Sequence, residues 1–279
     1  MDWLTALILG VVQGASEYLP ISSSGHLAIF REILGVDLPV DQTLQFDIMV
    51  HAATVLSTIV ILLPMFKRLV AGFFRFDGGP DFQYVCKVLV SCIPVGIVGV
   101  FFKDYVESIF GEGLPVVGCC LLVTALLLAF AYFTGIDRAT GRPKPADRGR
   151  NISWWDAFVI GIAQAVAVLP GLSRSGTTIA TGILLGDKRD QVATFSFVMV
   201  ILPIVGEALL DLAKMLTASG AEASAGGGSV GAVAMIIGFL GAFLVGCAAC
   251  KWMIALVKKG KLIWFAVYCV IMGVVCLMW

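Results

Sequence analysis

The sequence predicts an all-α integral membrane protein: an inverted-topology repeat with six transmembrane helices and two re-entrant helical hairpins. Three observations carry this reading: the apolar content, a self-match at constant offset, and the distribution of basic residues. Hydrophobic residues make up 59% of the 279 residues and charged residues only 14%, with mean hydropathy +0.98, outside the usual balance of a soluble domain. Segments 43–65, 86–102, 115–134, 193–213, 231–257 and 263–279 are long apolar runs, each near the roughly 20 residues a spanning helix needs.

The second observation is internal repetition. At a constant offset of 151, Trp3 matches Trp154, Gly10 matches Gly161, Gln13 matches Gln164, Ser22 matches Ser173, Gly25 matches Gly176, Gly35 matches Gly186 and Phe46 matches Phe197. The chain therefore divides into a first membrane repeat (1–135), a polar cytoplasmic linker (136–151) and a second, inverted membrane repeat (152–279). Each repeat opens with a short apolar segment. Residues 3–12 would reach only about 15 Å as a helix, half the hydrocarbon thickness. Gln13, Glu17, Pro20 and Ser22-Ser23-Ser24-Gly25 then interrupt the segment before a second short helix over about 26–34. The same pattern recurs at 154–169, 170–176 and 177–185. Two half-length helices joined by a polar loop make a re-entrant hairpin, tolerated where protein or a wet cavity surrounds it.

A hairpin plus three spans is an odd number of crossings, so the second repeat must enter upside down. Lys67, Arg68, Arg75, Lys87, the linker bases including Arg138, Lys188, Arg189, Lys251, Lys258, Lys259 and Lys261 then share one side. Only Arg31, Lys103 and Lys214 lie on the other. The positive-inside rule makes the first side cytoplasmic and places both termini outside, in a multi-pass cell inner (plasma) membrane protein. The three lysines at 258–261 read as headgroup anchors. The start, Met1-Asp2-Trp3, lacks a basic region and a small-residue cleavage site, which argues against a removed signal peptide. All eight cysteines lie in apolar runs and read as buried free thiols. With zero net charge and no basic stretch interleaved with aromatics, no nucleic-acid partner is expected.

Ionisable residues inside a bilayer are functional candidates by default. The first loop brings Gln13, Glu17, Ser22, Ser23, Ser24, Gly25 and His26; the second brings Ser173, Arg174, Ser175, Gly176 and Thr178. Gln13 and Glu17, four apart, share one helix face. Val168 stands where Glu17 does, Arg174 where Ser23 does and Thr177 where His26 does, so the loops are complementary. Two helix N-termini, several hydroxyls and a guanidinium suit phosphate oxygens. A carboxylate beside such a site makes sense if it holds a divalent cation bridging to phosphate. His26 could act as acid, base or nucleophile, and a serine could be the nucleophile instead. Asp47, His51, Glu207 and Asp211 also fall in apolar spans. Asp47 and His51 share a face and would line the cavity or support it; Asp156 reads as a helix-start charge.

Gln13 to His26 and Pro170 to Thr178 (Pro-Gly-Leu-Ser-Arg-Ser-Gly-Thr-Thr) together resemble the two motifs of the undecaprenyl-diphosphate phosphatase family, the bacitracin-resistance type. The resemblance runs through the whole chain. It implies hydrolysis of undecaprenyl diphosphate to undecaprenyl phosphate and phosphate, recycling the cell-wall lipid carrier. By resemblance, Glu17, Ser23, His26 and Arg174 are catalytic, with Glu17 also the metal ligand. Gln13, Ser22, Ser24, Gly25, Ser173, Ser175, Gly176 and Thr178 would bind substrate. The implied cofactor is a divalent cation, magnesium or calcium. The implied partners are a polyprenyl diphosphate lipid and the bilayer, and a homo-oligomer is compatible with the sequence. The alternative reading is a membrane transporter or lipid flippase without hydrolysis, since inverted repeats with broken helices serve transport too.

Overall fold

The computed structural model describes residues 1–102, 113–137, 140–206 and 230–279. Lys103, Arg138, Glu207, Asp211 and Lys214 lie outside the described residues. Among the described residues the secondary structure is helical, with two isolated β-bridges and no strand. Helices α1 (Trp3–Ser16) and α2 (Ser23–Leu34) form the first hairpin, followed by α3 (Val40–Ile61), α4 (Leu63–Phe73), α5 (Pro80–Phe101) and α6 (Leu114–Thr134). Helices α7 (Trp154–Val166) and α8 (Arg174–Leu185) form the second hairpin, followed by α9 (Arg189–Met199), α10 (Ala232–Lys258) and α11 (Ile263–Met278).

Among the described residues, five helical stretches are long and apolar enough to cross a membrane: Gln42–Ile61, Pro80–Phe101, Leu114–Thr134, Arg189–Gly206 and Ala232–Lys258. The sixth expected span is the 16-residue α11, about 24 Å at helical rise. Phe130, Val233, Leu244 and Ile271 are among the many apolar side chains on the outer surface, where lipid rather than water would meet them. The expected span 43–65 is shorter than the sequence suggested. Pro64 sits in the first turn of α4, where its missing N–H costs nothing but its ring cannot continue α3. Residues 63–73 instead make a separate short helix.

The polar loops are also tighter than expected. The second helix of each hairpin begins three residues early, because Ser22 and Ser173 cap it: each hydroxyl accepts from the amide three residues on, at 3.2 Å from Gly25 N and 3.1 Å from Gly176 N. Ser23 and Arg174 are thus the first helical residues of α2 and α8. Both helices end at a left-handed glycine, Gly35 and Gly186, the residue type that position favours.

Packing exchanges the halves. Helix α1 lies along α10 of the second repeat, and α7 lies along α5 of the first. The matched glycines make these contacts possible. A Cβ on Gly10 would strike the Gly238 carbonyl oxygen, and one on Gly161 would strike the Ser91 carbonyl oxygen. Helices α6 and α11 meet reciprocally: a Gly118 Cβ would sit 2.8 Å from Gly273 O, and a Gly273 Cβ 3.0 Å from Gly118 O. The hairpin tips cross in the same manner. Gly25 faces Gly171, Gly176 faces Pro20, and Pro20 and Gly171 are themselves matched at the repeat offset.

The end of the linker is pinned to the turn between α8 and α9. Arg150 N donates to Gly186 O and Lys188 N donates to Arg150 O. The Arg150 side chain reaches buried Asp156 at 2.6 Å and stands 3.6 Å from Asp187. Asp156 closes a capping box with Ser153 at the start of α7, the helix-start role expected of it. Burial, reinforced by the neighbouring Asp156 carboxylate, pushes the Asp187 carboxyl up to about 6. An unfolded Asp ionises near ~3.9, so this group supports the fold below that pH and the support is lost as pH rises through about 6. Asp187→Asn, which keeps a neutral side chain, should raise the thermal midpoint in detergent above the parent's at pH 8. The gain should fade toward pH 4 (about the unfolded pKa); a pH-independent difference would contradict this.

Candidate active site

The last turn of α1, the first residue of α2 and the middle of α3 bring three side chains to one oxygen. Gln13 Nε2 donates to Glu17 Oε2 at 3.0 Å, one helical turn away. Ser23 Oγ donates to the same oxygen at 2.6 Å, within the range of a charge-assisted O–H···O bond. From α3, His51 Nε2 approaches it at 3.7 Å. Arg174, at the start of α8, lines the same cavity and lies within Coulombic range of the Glu17 carboxylate. The second repeat thus supplies the cation and the first the anion, as the complementary loops predict.

The hairpin is fastened to α3 by Tyr18. Its buried phenol donates to the Thr54 carbonyl at 2.5 Å and contacts the Ser57 and Thr58 hydroxyls. Its ring meets Phe197 of α9 edge-on at 5.3 Å between centroids. From the Glu17–Arg174 end, the cavity continues past Val55 of α3 and Phe197, Val200 and Ile204 of the opposing span. Its walls are mostly apolar, with Thr54, Thr58 and Ser196 also among the lining residues.

The other predicted residues divide. Ser22 and Ser173 spend their hydroxyls on capping. Ser24 lies 3.3 Å from Ser22 Oγ, Ser175 donates to Leu19 O at 3.2 Å, and Thr178 donates back to Arg174 O at 2.9 Å. Gly25 and Gly176 permit the crossing of the two tips. His26 turns away from the carboxylate. Its Nδ1 donates to Ser22 O at 2.8 Å, and its Nε2 accepts from the Tyr268 phenol of α11 at 2.6 Å. The two rings also stack at 5.6 Å. Both imidazole nitrogens are engaged, and neither His26 nor Ser23 is among the residues that line the cavity Glu17 and Arg174 share.

Ser22 takes φ 70°, ψ 103°, a conformation a non-glycine residue holds at a cost of about 1–3 kcal/mol. Its match Ser173 has an ordinary φ of −71°. The strained backbone immediately precedes Ser23, in the one hairpin where the serine faces a carboxylate. Among the described residues no group of three or more His, Cys, Asp or Glu converges. The Gln13 Oε1 atom beside Glu17 is buried without a hydrogen-bond partner.

The family described as "Bacitracin resistance protein BacA" matches residues 6–275. An undecaprenyl-diphosphatase from Bacteroides fragilis (strain YCH46) is 54% identical over 275 residues, covering 99% of this chain and 97% of that protein. One from Bacteroides thetaiotaomicron is 54% identical over 273 residues, 98% and 97% of the two chains. At greater distance, one from Oceanobacillus iheyensis is 36% identical over 277 residues, covering 97% and 94%.

The chain's two histidines should differ in reactivity. Diethyl pyrocarbonate, followed by peptide mass spectrometry, should label His51 well before His26, because His26 Nε2 is covered by Tyr268. Tyr268→Phe should speed labelling at His26. Equal rates in the parent protein would contradict the assignment.

Proposed function

The chain belongs to the bacitracin resistance protein BacA family, and from that premise we propose that it is the membrane hydrolase that converts undecaprenyl diphosphate to undecaprenyl phosphate and phosphate. That reaction returns the cell-wall lipid carrier to use and underlies bacitracin resistance. The protein is multi-pass. Its basic side faces the cytoplasm of a bacterial plasma membrane, and both termini face out.

The 2.6 Å contact between Ser23 Oγ and Glu17 Oε2 carries the mechanistic reading. Ser23 Oγ attacks the terminal phosphorus while its proton passes to Glu17. An Oγ–P bond forms, the bridging P–O bond breaks, and undecaprenyl phosphate leaves, its bridging oxygen taking the proton from Glu17. Water, deprotonated by the returned Glu17 carboxylate, then attacks the phosphoserine, releases phosphate and restores the hydroxyl. Arg174 neutralises the charge that gathers on the phosphate oxygens, in a cavity whose low dielectric makes that contribution large. His26, held by Ser22 and Tyr268, keeps the start of α2 packed against α11.

A divalent cation fits this donor set. A carboxylate and an unpartnered amide oxygen, Glu17 and Gln13 Oε1, are the few hard protein ligands magnesium takes when substrate phosphates complete its shell. Those two residues would hold it, and when bound it would supply further charge neutralisation at the diphosphate. The prenyl tail follows the apolar wall of Val55, Val200 and Ile204 between α3 and the α9 span into the bilayer.

Phosphate release from a prenyl diphosphate in detergent tests the reading. Ser23→Ala, Glu17→Gln and Arg174→Ala should each lower kcat/KM by roughly 10²–10⁴-fold, whereas His26→Ala should cost far less. Parent-like rates in the first three would overturn the assignment; loss in His26→Ala with retention in Ser23→Ala would make the histidine the nucleophile.

A further inference from the structure

Of the two histidines, the one that reaches Glu17 is His51. Its orientation is fixed from behind. Nδ1 donates to the Asp47 carbonyl at 2.7 Å, which sets the ring so that Nε2 is the end turned to Glu17 Oε2 at 3.7 Å. The Asp47 carboxylate pairs with Arg31, which lies on α2, the helix that Ser23 begins. These contacts close a ring: Glu17 to Ser23, along α2 to Arg31, across to Asp47, and through His51 back to Glu17. Helix α2 is therefore held at both ends relative to α3, with the carboxylate at the meeting point.

Glu17 needs such a hold. It is the C-cap of α1, where the helix stops, and its side chain turns about three bonds. Gln13 grips it from the same helix, which fixes distance along α1 but gives no reference to the neighbouring elements. We propose that His51 is a positioning residue, holding the Glu17 carboxylate in the rotamer that presents Oε2 to Ser23. Because the effect bears on the Ser23–Glu17 pair and not on the phosphate contacts of Arg174, loss of His51 lowers kcat and leaves KM nearly unchanged.

The inference rests on the diphosphatase reading of the Ser23–Glu17 pair, so the experiment separates the two. Steady-state phosphate release from a prenyl diphosphate is measured for Glu17→Gln, His51→Ala and His51→Gln, with thermal midpoints in the same detergent. Glu17→Gln should show the roughly 10²–10⁴-fold loss expected of the site. His51→Ala should lose about 10–100-fold in kcat, the range typical of groups that orient a key side chain, at near-parent KM and midpoint. His51→Gln, whose amide can donate to the carboxylate, should recover most of the rate. Parent-like activity in Glu17→Gln would sink the site itself. With Glu17→Gln so impaired, an unchanged kcat in His51→Ala would overturn the positioning role alone. So would a kcat loss that tracks a lowered midpoint and is not restored by glutamine.

Discussion

A helix broken inside a bilayer leaves backbone amides and carbonyls that no water can satisfy, and each unsatisfied group costs several kcal/mol. This chain breaks two helices, at 17–22 and 167–173, and answers with side chains and with the other break. Ser22 and Ser173 cap the restarting helices. Ser175 donates to Leu19 O across the repeat boundary, Thr124 accepts from Ser173 N, and the Cys269 thiol lies against Pro20 O. Backbone bonds within each tip, such as Ile21 N to Leu19 O and Leu172 N to Leu169 O, complete the rest, so the two tips share partners across the repeats. The close approaches at Gly25 with Gly171 and Gly176 with Pro20 are the steric condition for that mutual completion.

The same constraint creates the candidate site. Restarting helices place their first residues where the tips cross, and those residues are Ser23 and Arg174. A shared scaffold with exchanged contacts leaves room for chemistry to diverge: Glu17 in one repeat is Val168 in the other. One tip offers a carboxylate and a hydroxyl and the other a guanidinium. Ser22 carries a strained backbone while Ser173 does not. The pairing of α1 with α10 and α7 with α5 is what presents the two tips to each other.

Much of this was legible in the sequence, because bilayer physics acts on composition and length. The apolar runs, the half-length arms and the offset matches at Gly10 and Gly161 need no tertiary information. Convergence of Glu17 with Arg174 followed from complementarity of the loops. What the sequence does not carry is the orientation of individual side chains. His26 neighbours the serines in sequence, yet Tyr268, 242 positions away, occupies its Nε2. His51 was visible as a partner of Asp47 on one face of α3, but its approach to Glu17 depends on how α3 packs against the hairpin. Each second helix starts three residues before its expected position, because the serine three positions before the glycine caps the helix and does not extend the loop. The break at Pro64 was a local signal that the apolar run obscured.

The fold and the site are assembled between the repeats, not within either. Cutting the chain once within the linker, between Gly141 and Arg148, tests it most directly, because no helix crosses that stretch. The two fragments should stay together through size-exclusion chromatography in mild detergent and should keep releasing phosphate from a prenyl diphosphate. Fragments that separate, with hydrolysis retained by one of them alone, would contradict the account.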